Sequence, residues 1–366
     1  MLPPHISRWD LDKTYLRTEF DTMRDLVRTA LERADEKRTN PGAATLLREL
    51  SQANVSIHIL SGSPEQMRRR LEAKLKLDGI VWDNFTLKPN LQNMLRLRFR
   101  ALRDQLGYKL PALLTSRTGA GDQIAGVKET LFGDDAEADA FVYSLYADIM
   151  EGRAGEELVH RILERGRVYE DVTEAALRSV RLVKPAPVVE RIFIHLEQQT
   201  HPRDFQIFGA RVVPFYNYLQ AAYVVHEDGR LPAASLLRVA AEMVTLHRFD
   251  GDALARSYAD VAKRGHLQGT KIDDIVAALP ELETVASPAR EEVRRMVELL
   301  PPQAELARAR WKPPEEEPMP DYLEPPQPAA QEAEEELTGL ARGRSTSVYA
   351  RAPSRRTKGA RPPAAV

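Results

Sequence analysis

The sequence predicts an α/β fold built on a parallel sheet with helices on both faces, and three observations carry that prediction. Short apolar runs of strand character recur along the first two thirds of the chain, among them Val55-Ser56-Ile57-His58-Ile59-Leu60 and Arg191-Ile192-Phe193-Ile194-His195-Leu196. Stretches with helical spacing separate them, as the crossovers between parallel strands require. Polar residues able to do chemistry stand just past the predicted strand ends, where such sheets collect their reactive groups. The expected architecture is a Rossmann-like three-layer parallel sheet, followed by a C-terminal helical appendage and a disordered tail.

Each element has a local reason. Ile6 and Trp9 lead into Asp10 as a short first strand. Phe20, Met23, Val27, Ala30 and Leu31 recur at helical spacing, and a second helix follows Pro41 through Leu46, Leu47 and Leu50. The run at 55–60 is short and β-branched, with polar residues at both ends, which fits a buried strand. Ser63-Pro64-Glu65-Gln66 has the form of a helix start, with Ser63 as cap and Pro64 in the first turn; Met67, Leu71 and Leu75 continue it. Phe85-Thr86-Leu87 suggests a strand, and Leu91, Leu95, Phe99, Leu102 and Leu106 mark the next helix, with Lys109 opening a further short segment. Thr130-Leu131-Phe132 is a strand ending in Gly133-Asp134-Asp135, and Phe141, Leu145 and Ile149 lie along a helix after it. The sheet regains a strand at 191–196, and residues 214–225 form a helix packed back on the core.

From about Leu231 to Leu300 the pattern is wholly helical, with Leu236, Leu237, Ala240, Ala241 and Val244 as the clearest stripe and helix starts near Thr270 and Ser287. Beyond Pro301 the chain is expected to be unfolded: Pro and Glu dominate 312–328, 332–336 is acidic, and 342–361 is basic. The expected division is 1–228, a catalytic-type α/β domain; 229–305, a helical appendage; and 306–366, an acidic-then-basic tail.

Composition excludes several classes. The 366 residues have room for one large core or two modest ones. A formal charge of −2 gives no global attraction to nucleic acid. The absence of cysteine removes disulfides, thiolate catalysis and cysteine-held metals. No apolar run reaches the roughly 20 residues that span a bilayer, and the opening Met-Leu-Pro-Pro-His is unlike a secretory leader. The expected location is cytoplasmic, with membrane contact limited to the periphery and the oligomeric state left open.

The chemistry is concentrated in four segments. Asp10 and Asp12 alternate after the first strand. Asp10 is placed to attack phosphorus and carry the phosphoryl group; Asp12 can protonate the leaving oxygen and then deprotonate water. Thr14 can hold that loop. Ser61 and Gly62, between a strand and a helix start, offer a hydroxyl and backbone N–H groups to a phosphate. Lys109 supplies a fixed positive charge, although Lys88 and Lys128 compete for that role. Asp134 and Asp135, with Asp10 and Asp12, give the hard oxygen ligands that Mg²⁺ prefers. An Asp-x-Asp-x-Thr run also arises in turns, and an Asp pair before Ala and Glu also caps helices. No Walker loop, Gly-x-Gly-x-x-Gly or His-x-x-x-His pair competes.

Together, Asp10 to Thr14, Ser61, Lys109 and Gly133 to Asp139 resemble the motifs of the haloacid dehalogenase (HAD) superfamily. Within it, the chain is most similar to the phosphatidate phosphatase catalytic-domain family. The likeness rests on Pro41-Gly42, on Ile57 to Pro64 (IHILSGSP), on Lys109, and on Leu131-Phe132-Gly133-Asp134 with Asp139 and Tyr143. It covers about residues 6–150 and departs at Lys13, where that family usually has Asp, and at Asp135, where it has Ser. The resemblance implies a HAD-like sheet without a large cap and a Mg²⁺-dependent phosphatase with an aspartyl-phosphate intermediate. It further implies Asp134 as metal ligand with Asp139 in support, and a bulky phosphoester such as phosphatidate as substrate. The competing expectation is a non-catalytic scaffold on the same fold.

Overall fold

Strands β1 (His5–Asp10), β2 (Ser56–Pro64), β3 (Asn84–Lys88), β4 (Lys128–Asp134), β5 (Val189–His195) and β6 (Val212–Phe215) form one sheet in the order β3-β2-β1-β4-β5-β6. Every neighbouring pair is parallel. The computed structural model describes residues 4–16, 39–88, 102–124, 126–284, 287–312 and 319–324. From β1 the chain first builds outward to β3, then returns to add β4, β5 and β6 on the other side. The strand order reverses between β1 and β4, the position at whose carboxyl ends open α/β sheets of this kind bind ligands.

One face of the sheet is covered by α1 (Ala43–Gln52), α2 (Arg68–Leu77), α7 (Tyr218–Glu227), α8 (Ala233–His247), α9 (Gly251–Lys263), α10 (Ile272–Ala277) and α11 (Ser287–Arg310). The other is covered by α3 (Leu102–Gly119), α4 (Asp139–Met150), α5 (Glu156–Arg165) and α6 (Glu170–Leu182). Alternation along β1 and β4 sorts the side chains: Trp9 and Phe132 join the first core, Leu131 the second. Across β1, β4 and β5 the rings of Trp9, Phe132 and Phe193 stack, with centroids 3.9 and 4.7 Å apart.

Several expectations change. The helix expected from Phe20 lies outside the described residues, as do Leu91, Leu95 and Phe99 of the next one. Lys109 does not open a segment; it lies inside α3, which runs through Pro111. Ser63 does not cap a helix: Pro64 occupies the cap position of a short 3-10 turn, and Ser63 still belongs to β2. Pro214 and Phe215 belong to β6, and the helix begins only at Tyr218, capped by Asn217. The sequence reading assigned nothing to 151–188, where α5 and α6 form the crossover.

The C-terminal region after Leu231 is helical, as expected, and its helices pack into the core that covers one face of the sheet. Leu236, Leu254, Val293 and Leu300 share one buried cluster with Trp9, Leu46 and Tyr218, and all the described residues fall in one compact unit. Order does not end at Pro301. Helix α11 continues through Pro301 and Pro302 to Arg310, with Leu300, Ala304 and Ala307 buried. Residues 319–324 pack on the opposite face, where Tyr322 meets Phe141 edge-on at 5.3 Å and donates to Asp148 at 2.6 Å. The remaining tail residues lie outside the described ones.

Among the described residues no helix is long and apolar enough to cross a membrane.

Candidate functional site

The carboxyl edge of the sheet carries Asp10 at the end of β1 and Asp134 at the end of β4, on adjacent strands at the reversal. Asp139 begins α4 one turn later. These three carboxylates are buried, and each offers an oxygen within 4.8 Å of the others. Gly133 makes the arrangement sterically feasible: a Cβ there would stand 2.6 Å from Asp139 Cβ. Asp139 folds back over this gap, and its Oδ2 accepts from Asp134 N at 3.1 Å.

Lys109 reaches the same cluster from α3. Its Nζ donates to Glu137 Oε2 at 2.8 Å and to Asp139 Oδ1, and lies 3.7 Å from Asp10 Oδ1. Two of the Asp134 oxygens' partners are local: Oδ1 accepts from Ala136 N (2.8 Å) and Glu137 N (3.1 Å), which closes the turn before α4. Thr14 Oγ1 sits 3.0 Å from Asp134 Oδ2 and 3.3 Å from Asp10 Oδ2. A single hydroxyl proton serves both contacts only in part. Asp10 Oδ1 is buried with no hydrogen-bond partner among the described residues.

The loop carrying Asp12 and Thr14 is tightly fixed. Leu11 O accepts from Tyr15 N (3.1 Å) and Leu16 N (2.8 Å), and Lys13 takes the left-handed conformation at φ 61°. A bulky residue there costs of order 1 kcal/mol or more. Asn40 Nδ2 offsets it by holding Lys13 O and Thr14 O, each at 2.7 Å, and the Tyr218 hydroxyl donates to Thr14 O at 2.5 Å. Asn40 follows the segment 17–38 and Tyr218 opens α7, so three distant parts of the chain set this one turn.

Asp12 turns toward β2 instead of joining the three carboxylates. Its Oδ2 accepts from Ser61 Oγ at 2.8 Å and Ser63 Oγ at 2.9 Å. Ser61 is fixed in turn: its Oγ accepts from Ser63 N at 3.0 Å, and its carbonyl accepts from the Tyr108 hydroxyl at 2.8 Å. Gly62 between them is half-buried.

Burial pushes the Asp10 and Asp134 carboxyls well above the usual range; Lys109 opposes the shift in both, and the neighbouring carboxylates reinforce it. Burial likewise raises Asp139, to about 6, against the pull of Lys109. For Lys109, burial works against the ammonium but Asp10, Asp139 and Glu137 outweigh it, and its pKa rises. Three acidic groups surround the Lys109 ammonium, and Asp10, Asp134 and Asp139 present hard oxygen donors of the kind that hold Mg²⁺. Asp10 Oδ1, which accepts no hydrogen bond among the described residues and has the Lys109 ammonium at 3.7 Å, is the oxygen it has free to share with a cation.

The structure therefore brings together Asp10, Asp12, Thr14, Ser61, Lys109, Asp134 and Asp139, with Gly62 beside them. Two of the expected metal ligands lie outside the three-carboxylate group. Asp135 points away: its carboxylate accepts from Gln198 N (2.7 Å) and Thr200 N (3.0 Å), fixing the loop after β5. Asp12 faces the two serines, so its carboxylate is not in the three-carboxylate group. Sequence reading missed Ser63, Glu137, Asn40 and Tyr218. Ser63 carried a signal, a second serine two residues after the first, but Ser-Pro had a ready explanation as a helix start. Compared with known proteins, the chain matches no family model, no curated protein and no solved structure.

Proposed function

We propose that this protein is a Mg²⁺-dependent phosphomonoesterase of the HAD type that works through an aspartyl-phosphate on Asp10. One observation carries the reading: Asp10, Asp134 and Asp139 converge beyond the strand ends at the reversal, with a second aspartate two residues after Asp10 held by two serine hydroxyls. A purely structural ion network explains Lys109 among carboxylates but gives Asp12 no reason to stand beside it with separate donors.

Asp134 and Asp139, with one oxygen of Asp10, would hold the cation. Bound Mg²⁺ supplies the positive charge that screens an anionic nucleophile from a phosphate dianion. Lys109 holds Asp139 and Glu137 in place and adds charge beside Asp10. In the first step an Asp10 oxygen bonds to phosphorus while the ester P–O bond breaks, and Asp12 gives its proton to the leaving oxygen. In the second, Asp12 takes a proton from water as the water oxygen attacks phosphorus. The Asp10–phosphorus bond breaks, releasing inorganic phosphate and restoring the carboxylate. Ser61 and the backbone at Gly62 and Ser63 border the phosphate position in this reading; to donate to its oxygens, Ser61 Oγ and Ser63 N would exchange their present contacts with Asp12 and Ser61.

A bulky, surface-presented phosphoester such as phosphatidate is the first substrate to try, and contact with a lipid surface would then be peripheral. The deciding assay is phosphate release from p-nitrophenyl phosphate and phosphatidate, with and without Mg²⁺, for wild type and Asp10→Asn. Release that depends on Mg²⁺ and is lost in the variant supports the enzyme. Equal release from the two proteins, or an inert wild type, returns the chain to a scaffold with a polar core.

A further inference from the structure

Lys109 is already committed to three carboxylates, but a second lysine at the same edge is not. Lys88 ends β3, across from Pro64 in β2. It is half-buried, and its ammonium lies 5.6 Å from the centre of the Tyr108 ring. Among the described residues it makes no hydrogen bond or ion pair. Tyr108 immediately precedes Lys109 in α3, and its hydroxyl donates to Ser61 O, so Lys88 borders the Ser61–Asp12 side of the site. At Gly62, between the two serines, an added Cβ meets nothing within 4 Å among the described residues.

An ammonium partly removed from water without a counter-ion is costly unless an anion arrives. Burial pulls the Lys88 pKa below the ordinary lysine value; the fields of Asp104 and Glu137 oppose this and that of Lys109 reinforces it. Lys88 is thus a half-buried cation at the end of β3, two strands out from the strand that carries Asp10.

The geometry points to Lys88 as the residue that selects the substrate, its ammonium taking a second acidic group on the leaving-group side of the phosphomonoester. This rests on the phosphomonoesterase reading above and narrows it. The preferred substrate carries a carboxylate or further phosphate beyond the scissile ester, which the neutral leaving group of phosphatidate lacks.

A matched pair of compounds tests it: 4-carboxyphenyl phosphate and its methyl ester, assayed with Mg²⁺ on the full chain as wild type, Lys88→Met and Lys88→Arg. Comparing variants cancels the difference in leaving-group reactivity. The ratio of kcat/KM for acid over ester should fall about tenfold in Lys88→Met, chiefly through KM, and be largely kept in Lys88→Arg. Hydrolysis of both compounds with an unchanged ratio in Lys88→Met overturns the role of Lys88 and leaves the phosphomonoesterase standing. A wild type inert toward both compounds removes the parent reading and this one with it.

Discussion

At the residue scale, the site is governed by how few ways its charges can be satisfied. Lys109 is fully buried among Asp10, Asp139 and Glu137, so removing its charge leaves carboxylates unpaired inside the protein. Lys109→Met is therefore expected to destabilise by about 3–5 kcal/mol, read by urea unfolding. A cost under about 1 kcal/mol would mean the carboxylates are protonated already. Gly133 is equally constrained. Gly133→Ala must push Asp139 away, since the added carbon would stand 2.6 Å from Asp139 Cβ. It should cost about 1–3 kcal/mol and weaken Mg²⁺ binding in a titration; unaltered metal affinity would disconnect Asp139 from the cation. Asp12→Ala should slow turnover strongly while beryllofluoride still binds Asp10. If that binding goes too, Asp12 is shaping the loop and not moving protons.

Elements here are held by burial where local propensity is against them. Helix α3 tolerates Pro111, and α11 tolerates Pro301 and Pro302. An interior proline costs roughly 3 kcal/mol in helix terms. In α11, Leu300, Ala304 and Ala307 bury one face on either side of the prolines, and burial of that kind offsets the cost. The short piece 319–324 relies on far less. Tyr322 supplies one ring contact with Phe141 and one hydrogen bond to Asp148. Tyr322→Phe should cost about 1 kcal/mol. Tyr322→Ala should release the segment, seen as faster proteolysis near 319–324 with the rest of the chain still protected. Simultaneous loss of protection throughout would show that this contact supports the whole fold.

For the whole molecule, stability depends on pH, and under the proposed function a bound cation opposes one part of that dependence. Burial lowers the pKa of His5 and His58 to about 4, and that of His266 to about 3, with nearby arginines reinforcing each shift. The unfolded chain binds protons at these sites near pH 6.5, so between about 6.5 and 4 it holds more protons than the native state. Stability should then fall as pH drops through that window, by on the order of a few kcal/mol in total. Asp139 runs the other way: its folded pKa of about 6 lies above the unfolded value, so the metal-free protein loses stability as pH rises toward 6. A cation that needs the ionised carboxylates cancels that loss. Mg²⁺ at roughly a hundred times its Kd should add about 3 kcal/mol near neutral pH and much less near pH 5, as shifts in thermal midpoint. An equal shift at both values would place the ion elsewhere.

The sheet was legible because each strand is short, apolar and bounded by polar residues, and because period and burial agree from Val55 to Leu60 and from Arg191 to His195. The gathering of Asp10, Asp12, Ser61 and Asp134 was legible too, since strand ends in a parallel sheet put their side chains at one edge. Residues by themselves determined the α/β class, the strand segments and which polar groups stand at that edge. Only the tertiary structure decided which carboxylates face one another. Asp134 and Asp135 are adjacent and chemically identical, yet one joins Asp10 and the other fixes the loop after β5. Likewise Ser63 reads as a helix cap until β2 extends past Ser61 and aims it at Asp12. Sequence spacing fixes direction within a strand or a turn; partners across the sheet are chosen by register, burial and the placement of charge, which exist only once the chain has packed.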